Sequence, residues 1–320
     1  MISWDLSQQL LELYERLFPP ILLGIILGFY VPTQWIRKIG EFLFYVGIPV
    51  TIASFLRKAS LSESVWIASI IAVIAVMLGG FISFLWLKKN RKYIKKASYS
   101  RNQIKAVQGS FIIASMSGNT RYFGFPIVLV LIGQSNFGWA VFYDLMSSMI
   151  GAYGLGIIIA SYCGKQVDNY RLLLIRFMKN PALWGVSLGL LFRQIPLNET
   201  METGLSSFGW IVVTLSMALI GMRLAKFNLS WKHIKLASIS LVIKMLVVPL
   251  LIGIGLSLLN VEHSVRLLIV LLSAMPPAIS TLIIAENYNL EKQLTVTTIV
   301  LGSTFLPFTL LLWTTLFTVS

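Results

Sequence analysis

Two stretches of this sequence decide its fold: Ser117-Gly-Asn-Thr-Arg-Tyr-Phe-Gly-Phe-Pro126 and Ser273-Ala-Met-Pro-Pro-Ala-Ile-Ser-Thr281. Each interrupts a long apolar run, at residues 107–134 and 265–287, and each sets glycine or proline beside polar side chains. Proline removes a backbone donor and clashes with the preceding turn, and unwound backbone at membrane depth needs protein or a water-filled cavity around it. We therefore predict two broken membrane helices, with simple proline kinks as the alternative.

The composition requires a bilayer around these runs. The chain has 320 residues, of which 57% are hydrophobic and 12% charged, and its mean hydropathy is +0.81. A soluble domain of this length cannot hide so much apolar surface. At about 20 apolar residues per span plus a connection, the chain holds about ten spans. They are predicted at residues 18–31, 39–56, 65–87, 107–134, 138–162, 181–195, 205–222, 236–258, 265–287 and 293–317.

The basic residues predict the orientation of these spans. If the N-terminus lies outside, 19 of the 26 Lys and Arg fall in inner connections and five in outer segments. The inner connection from Lys88 to Lys105 alone carries eight. Because positive connections stay in the cytoplasm, we expect both termini outside a plasma (bacterial inner) membrane. This topology accounts for the net charge of +14, and we expect no nucleic-acid partner.

The two halves of the chain resemble each other. Pro20–Gly28 and Pro181–Gly189 share the pattern Pro-x3-Gly-x3-Gly, and the next span ends in Arg57 or Arg223. Glycine at this spacing also serves ordinary helix packing. Five spans per half is an odd number, so the second half starts from the opposite membrane face, as in alternating-access carriers. The predicted inverted repeats are residues 1–163 and 164–320.

The two interrupted stretches resemble the signature regions of the auxin efflux carrier family, which includes the plant PIN proteins. The matching segments are Gly118-Asn119-Thr120 through Gly124-x-Pro126, Met275–Ala278 running into Ala285–Tyr288, and Lys244 five residues before Pro249. This resemblance covers essentially the whole chain. It implies an all-α polytopic fold of ten transmembrane helices, with broken, crossing helices 4 and 9, shared with bile-acid/sodium symporters and sodium/proton antiporters.

The resemblance also implies a division into two domains and a substrate class. Helices 1, 2, 6 and 7 would form a scaffold domain, and helices 3–5 and 8–10 a transport domain. Known substrates of the family are organic anions, namely auxin or carboxylates such as malate and malonate. The short connection between residues 163 and 180 resembles bacterial members. Two features depart from the family: Arg121 within the first signature, and a third span without Asp, Glu or Lys.

The two breaks predict a binding site. A helix that restarts at a break presents free N–H groups and about half a positive charge, which suits a carboxylate, whereas the carbonyls that end there suit a cation. The expected substrate-binding residues are Asn119, Thr120, Arg121, Gly124, Pro126, Met275, Pro276, Pro277, Ala278 and Ser280. Arg121 has a structural ion pair as its alternative. Asp144 and Lys244 are expected to serve ion coupling or to act as structural charges, with Asp144 neutralising Lys244 or Arg121.

The resulting hypothesis is a secondary transporter of small organic anions that works by alternating access. The alternatives are a sodium- or proton-coupled carrier of another substrate and a membrane sensor without transport. We expect no cofactor. Coupling to protons or sodium and assembly into a homodimer are both compatible with the sequence. The single cysteine, Cys163, excludes an intrachain disulfide and shows no metal pattern. Gly185–Gly189 matches a hydrolase motif, but it lies in an apolar helix, so we expect no enzyme.

Overall fold

The computed structural model describes residues 2–61, 64–90, 101–164, 178 and 180–318. Every regular element among these residues is a helix, apart from one isolated bridge between Gly118 and Pro277. Much of the basic connection between Lys88 and Lys105, and the cations counted at residues 165–179, lie outside the described residues. The predicted orientation and the repeat boundary after residue 163 stay predictions.

Helices coincide with the predicted apolar runs along the chain. In the first half they are α1 (Ile2–Tyr30), α2 (Thr33–Phe42), α3 (Ile48–Lys58), α4 (Ile67–Lys89), α5 (Arg101–Met116), α6 (Phe125–Leu131), α7 (Phe137–Ser148) and α8 (Leu155–Gly164). In the second half they are α9 (Pro181–Leu191), α10 (Glu199–Lys226), α11 (Ile234–Leu241), α12 (Val248–Leu258), α13 (His263–Ser273), α14 (Ser280–Asn287) and α15 (Lys292–Thr318).

Several of these helices are joined by wide π-helical turns instead of loops. The turns are Leu43–Gly47, Thr120–Gly124, Met149–Gly154 and Val242–Val247. Pro49, Pro126 and Pro249 each stand in the first turn of the helix that follows a π turn. Because proline cannot donate a backbone hydrogen bond to the preceding turn, a locally wider turn accommodates its ring without ending the span.

Seven helical stretches among the described residues are long and apolar enough to cross a membrane. They are Leu11–Tyr30, Thr33–Lys58, Ile67–Lys89, Gln134–Gly164, Glu199–Lys226, Trp231–Leu258 and Lys292–Phe317. The predicted all-α, multi-pass class is thereby confirmed. The remaining predicted spans are the two broken ones and residues 181–195, where α9 has only 11 residues. At 1.5 Å per residue α9 is about 16 Å long, against a hydrocarbon core of about 30 Å. The ten-helix inverted repeat therefore stays a prediction.

The first helix is much longer than its predicted span of residues 18–31. It begins at Ile2 and continues through Pro19 and Pro20. Its early part is amphipathic: Leu13 and Leu17 are buried, while Glu12 and Arg16 form an exposed ion pair with 2.7 Å between oxygen and nitrogen. The apolar and charged residues of such a segment average to a low hydropathy, so the search for apolar runs did not include this part of α1.

The chain divides into two compact units of packed residues. Unit 1 comprises Met1–Trp66, Thr120–Leu145 and Met178–Phe227. Within it α1 packs along α10, and a Cβ on Gly28 would lie 2.6 Å from Cβ of Ala225. Likewise α9 packs along α3, where a Cβ on Gly185 would lie 2.7 Å from Cα of Pro49. The repeated glycine pattern thus serves close helix packing in both halves.

Unit 2 comprises Ile67–Asn119, Met146–Phe177 and Asn228–Ser320. Within it α5 packs against α4 and α8, and α15 packs against α11 and α13. Buried hydrogen bonds join these helices: Ser115 Oγ lies 3.0 Å from Ser240 Oγ, and Trp313 Nε1 donates to the Met245 carbonyl at 2.9 Å. Both interrupted stretches, Ser117–Pro126 and Ser273–Thr281, contribute backbone to this unit.

Candidate functional site

The first break is shorter than the sequence predicts. Helix α5 ends at Met116, and helical backbone resumes at Thr120 in a π turn. Only Ser117–Asn119 are unwound. The expectation that Gly124 and Pro126 form part of the opening is wrong, because Gly124 has helical torsions (φ −64°, ψ −48°) and Pro126 lies in the first turn of α6. The π turn accommodates the proline, so the helix need not open there.

The second break covers Ala274–Ile279, between the end of α13 and the start of α14. Its backbone pairs with the first break. The Asn119 N–H donates to the Pro276 carbonyl at 2.8 Å, and the Ala278 N–H donates to the Ser117 carbonyl at 3.1 Å. These two bonds form the antiparallel bridge of Gly118 with Pro277. The bridge satisfies four backbone groups that would otherwise be unpaired in an apolar interior.

Several donors at these paired breaks have no acceptor among the described residues. The backbone N–H groups of Gly118, Ile279 and Ser280 make no hydrogen bond to the described part of the chain. Ile279 and Ser280 begin α14, where free N–H groups carry partial positive charge. The hydroxyl of Ser117 is also buried without a partner. Ser117 is buried and Gly118, Ile279 and Ser280 are half-buried, and because unpaired donors are rare inside folded proteins, this cluster is a candidate binding site.

Lys244 brings a full positive charge to the same place. It stands in the π turn before α12, and its residue is only 3% exposed. Its Nζ donates to the Ser273 carbonyl, at the end of α13, at 2.9 Å. A Cβ on Gly118 would lie 3.2 Å from Nζ, so glycine leaves the ammonium room beside the first break. Within the described residues Lys244 has no carboxylate partner. A buried ammonium costs several kcal/mol unless an anion compensates it.

A buried ion pair occupies the interior of unit 1. Arg121 Nε donates to Asp144 Oδ2 at 2.6 Å, and the Thr120 hydroxyl donates to Asp144 Oδ1. Arg121 Nη1 also lies 3.4 Å from the Asn180 side-chain oxygen. The carboxylate of Asp144 is thus held at both oxygens and is 1% exposed as a residue. Of the two neutralising partners expected for Asp144, the structure shows Arg121.

The predicted site residues fall into three groups. Asn119, Met275, Pro276, Pro277 and Ala278 lie in the paired breaks, and Ser280 starts α14. Thr120 and Arg121 bind Asp144 in unit 1. Gly124 and Pro126 lie in wound helix. The contact of Lys244 with Ser273 and the unpaired hydroxyl of Ser117 were not predicted, although a serine directly before each break is visible in the sequence. The substrate and ion-coupling roles of all these residues stay predictions.

Comparison with known proteins agrees with a chain of apolar membrane spans. A family model described as membrane transport protein matches residues 20–314. The chain therefore belongs to this transporter family, the auxin efflux carrier family that its two signature stretches resemble. It is a multi-pass membrane transport protein, and membership of this family points away from enzymatic activity.

Two relatives match over most of their length. An uncharacterized transporter of Methanocaldococcus jannaschii is 25% identical over 309 residues, covering 92% of this chain and 95% of the relative. An uncharacterized transporter of Methanothermobacter thermautotrophicus is 23% identical over 274 residues, covering 84% of each. Both are archaeal, so the specific likeness to bacterial members stays a prediction. The hydrolase-like motif at Gly185–Gly189 lies within α9, without the strand-to-helix turn of a nucleophile elbow.

Proposed function

We propose that this transporter carries small organic anions across the plasma membrane by alternating access. The substrates would be carboxylates such as malate or malonate, or auxin-like acids. The observation that carries the proposal is the ammonium of Lys244, which lies beside two paired helix breaks without a carboxylate partner in the described part of the chain. A bound carboxylate would supply the missing charge.

The ammonium of Lys244 favours an anion over a cation at the breaks, where the carbonyls of Gly118, Met275 and Pro277 also accept no hydrogen bond from the described residues. The carbonyls of Ser117, Pro276 and Ser273 already accept hydrogen bonds from Ala278, Asn119 and Lys244. The N–H groups of Gly118, Ile279 and Ser280 have no acceptor among the described residues. Free donors together with an ammonium suit a carboxylate, whose two oxygens accept charge-assisted hydrogen bonds.

Alternating access would move a transport domain against a scaffold. The division of packed residues supports this part of the proposal. Unit 1 contains the four segments expected in the scaffold, namely α1, the α2–α3 segment, α9 and α10. Unit 2 contains the paired breaks and Lys244. The stretch Thr120–Leu145 departs from the proposal, because it belongs to unit 1 although it was expected in the transport domain.

Uptake of radiolabelled carboxylates into proteoliposomes tests the proposal. Asn119→Ala should abolish uptake, because it removes an amide at the break, while the bridge survives since it uses only the backbone N–H of Asn119. Expression and melting temperature serve as controls for folding. Uptake at the wild-type rate in the variant would refute the role of Asn119, and uptake no faster than in empty liposomes with every carboxylate would refute the proposal.

A second candidate is coupling to protons or sodium through Asp144, whose burial makes it the acidic group to test. Asp144→Asn should then remove the dependence of uptake on the ion gradient but spare carboxylate binding. If Asp144 serves only its pair with Arg121, the variant loses melting temperature and keeps its gradient dependence. Measuring uptake with and without each gradient separates the two roles.

A further inference from the structure

Two arginines at the ends of matching spans have different surroundings. Arg57 closes α3 and has three partners: its guanidinium donates to the carbonyls of Phe192 and Ile195, and its Nη2 lies 3.7 Å from a carboxylate oxygen of Glu202. Arg57 therefore holds α3 to the connection between α9 and α10. Two of its five N–H donors make hydrogen bonds inside the protein.

Arg223, the corresponding residue in the last turn of α10, has no such partners. Across the described residues of the chain its guanidinium meets neither a hydrogen-bond acceptor nor a carboxylate. The residue is partly buried, and its nitrogens are not completely enclosed. A half-buried guanidinium without an acceptor has its donors available for a ligand.

The backbone beside Arg223 is shaped to receive its guanidinium. Nη2 lies so close to Gly40 of α2 that a Cβ at this position would clash with it. Leu219 Cδ2 lies 3.5 Å from the same Cβ position, and Tyr122 packs against the buried cluster that contains Leu219. Glycine at position 40 therefore leaves the space that the guanidinium fills.

The surroundings of Arg223 are positive and lie at the end of an apolar span. Lys226 is exposed in the same last turn of α10, and α2 presents Lys38, whose ammonium lies 4.8 Å from the centre of the exposed Trp35 ring. The acid of α2, Glu41, lies 3.6 Å from Arg37. Cations beside tryptophan at the end of a membrane helix are typical of the headgroup layer.

We propose that Arg223, resting on Gly40 beside Tyr122, is a binding site for an oxyanion, in addition to the paired breaks. The planar fork of the guanidinium binds phosphate or carboxylate oxygens in pairs. The ligand comes either from the phosphate of an anionic phospholipid or from a soluble anion. This site uses different residues from those of the transport proposal and does not depend on it.

The test measures the melting temperature of the purified full chain in two arms. One arm compares nanodiscs of phosphatidylglycerol with nanodiscs of phosphatidylcholine, and the other titrates inorganic phosphate in a neutral detergent. The variant is Arg223→Gln, and the matched control is Lys226→Gln, which removes the same charge three residues away on an exposed side chain. Loss of one charge-assisted contact should weaken binding about tenfold or more.

A phosphatidylglycerol stabilisation that Arg223→Gln loses and Lys226→Gln keeps supports the site with lipid as its ligand. The same pattern with inorganic phosphate supports it with a soluble anion. If Arg223→Gln folds poorly, Gly40→Ala replaces it, because the added Cβ displaces the guanidinium while keeping its charge. Wild-type behaviour of both Arg223→Gln and Gly40→Ala in both arms overturns the proposal, as does an equal loss in Lys226→Gln.

Discussion

Lys244 is the residue on which the account of binding rests. Its ammonium donates one hydrogen bond, to the Ser273 carbonyl, so most of its capacity remains for a ligand. A structural lysine and a binding lysine differ in what their removal does. Taking away one member of a buried pair destabilises a protein by about 3–5 kcal/mol, whereas removing an uncompensated charge relieves its desolvation cost.

Lys244→Gln should therefore raise the melting temperature of the ligand-free protein and abolish its stabilisation by carboxylates. Glutamine keeps a donor for the Ser273 carbonyl but loses the charge. Differential scanning fluorimetry with and without a panel of mono- and dicarboxylates measures both effects. Lys89→Gln, on an exposed residue of α4, is the control and should leave both unchanged. A lower melting temperature with carboxylate stabilisation intact would assign Lys244 a structural role.

Residue-level expectations from the sequence succeeded where local chemistry decides and were incomplete where packing decides. Glycine and proline at positions 118, 276 and 277 predicted the breaks, because these residues weaken helices wherever they occur. The sequence left two cations, Arg121 and Lys244, as possible partners of Asp144. The packed structure shows that Arg121 is the partner. The space that the Arg223 guanidinium fills could not be predicted, because it lies beside Gly40, which is 183 residues away in the sequence.

At the scale of elements, helix packing through glycine is the feature most open to a stability test. Gly24 of α1 faces the backbone of α10 so closely that a Cβ would clash with the Ala218 carbonyl. Gly255 of α12 is also helical, but a Cβ added there would meet nothing within 4 Å. The two positions share a residue type and a secondary structure and differ in their surroundings.

Gly24→Ala should lower the melting temperature, because helix backbones must separate to admit the methyl group, at a cost of about 1–3 kcal/mol. Gly255→Ala should leave the melting temperature unchanged or raise it, since alanine favours a helix by about 1 kcal/mol over glycine. Thermal unfolding in the same detergent compares them. Equal effects of the two substitutions would show that α1 and α10 do not pack as closely as described.

The extents of the elements were predicted less well than their existence. The first break was expected to reach Pro126, but the π turn at Thr120–Gly124 keeps that segment wound. The first span was expected at residue 18, but α1 begins at Ile2 and already buries Leu13 and Leu17. Proline propensity predicted the first boundary, and local hydropathy predicted the second. Neither quantity includes contacts with other parts of the chain, and such contacts can override it.

At the scale of the whole molecule, composition alone predicted the class. A chain with 57% hydrophobic residues and seven long apolar helices among those described requires a bilayer. Topology is a different matter, because α9 is too short to span by itself and much of the positive charge that predicts orientation lies outside the described residues. The inverted repeat and the outer position of both termini therefore await direct tests.

Transport as proposed requires the paired breaks to bind the transported anion and to open in turn to each side of the membrane. Cysteine accessibility tests this directly, because Cys163 is the only native cysteine. Replacing Cys163 with serine leaves no other thiol to react with the reagent. In that background Ser117→Cys puts a thiol at the first break, in place of the buried hydroxyl. Proteoliposomes allow a charged thiol reagent to be applied from one side at a time.

We expect the reagent to label Ser117→Cys from either side, and a transported carboxylate to protect the thiol from both. Labelling that carboxylates leave unchanged, or that occurs from one side only under all conditions, would rule out anion binding with alternating access at the paired breaks.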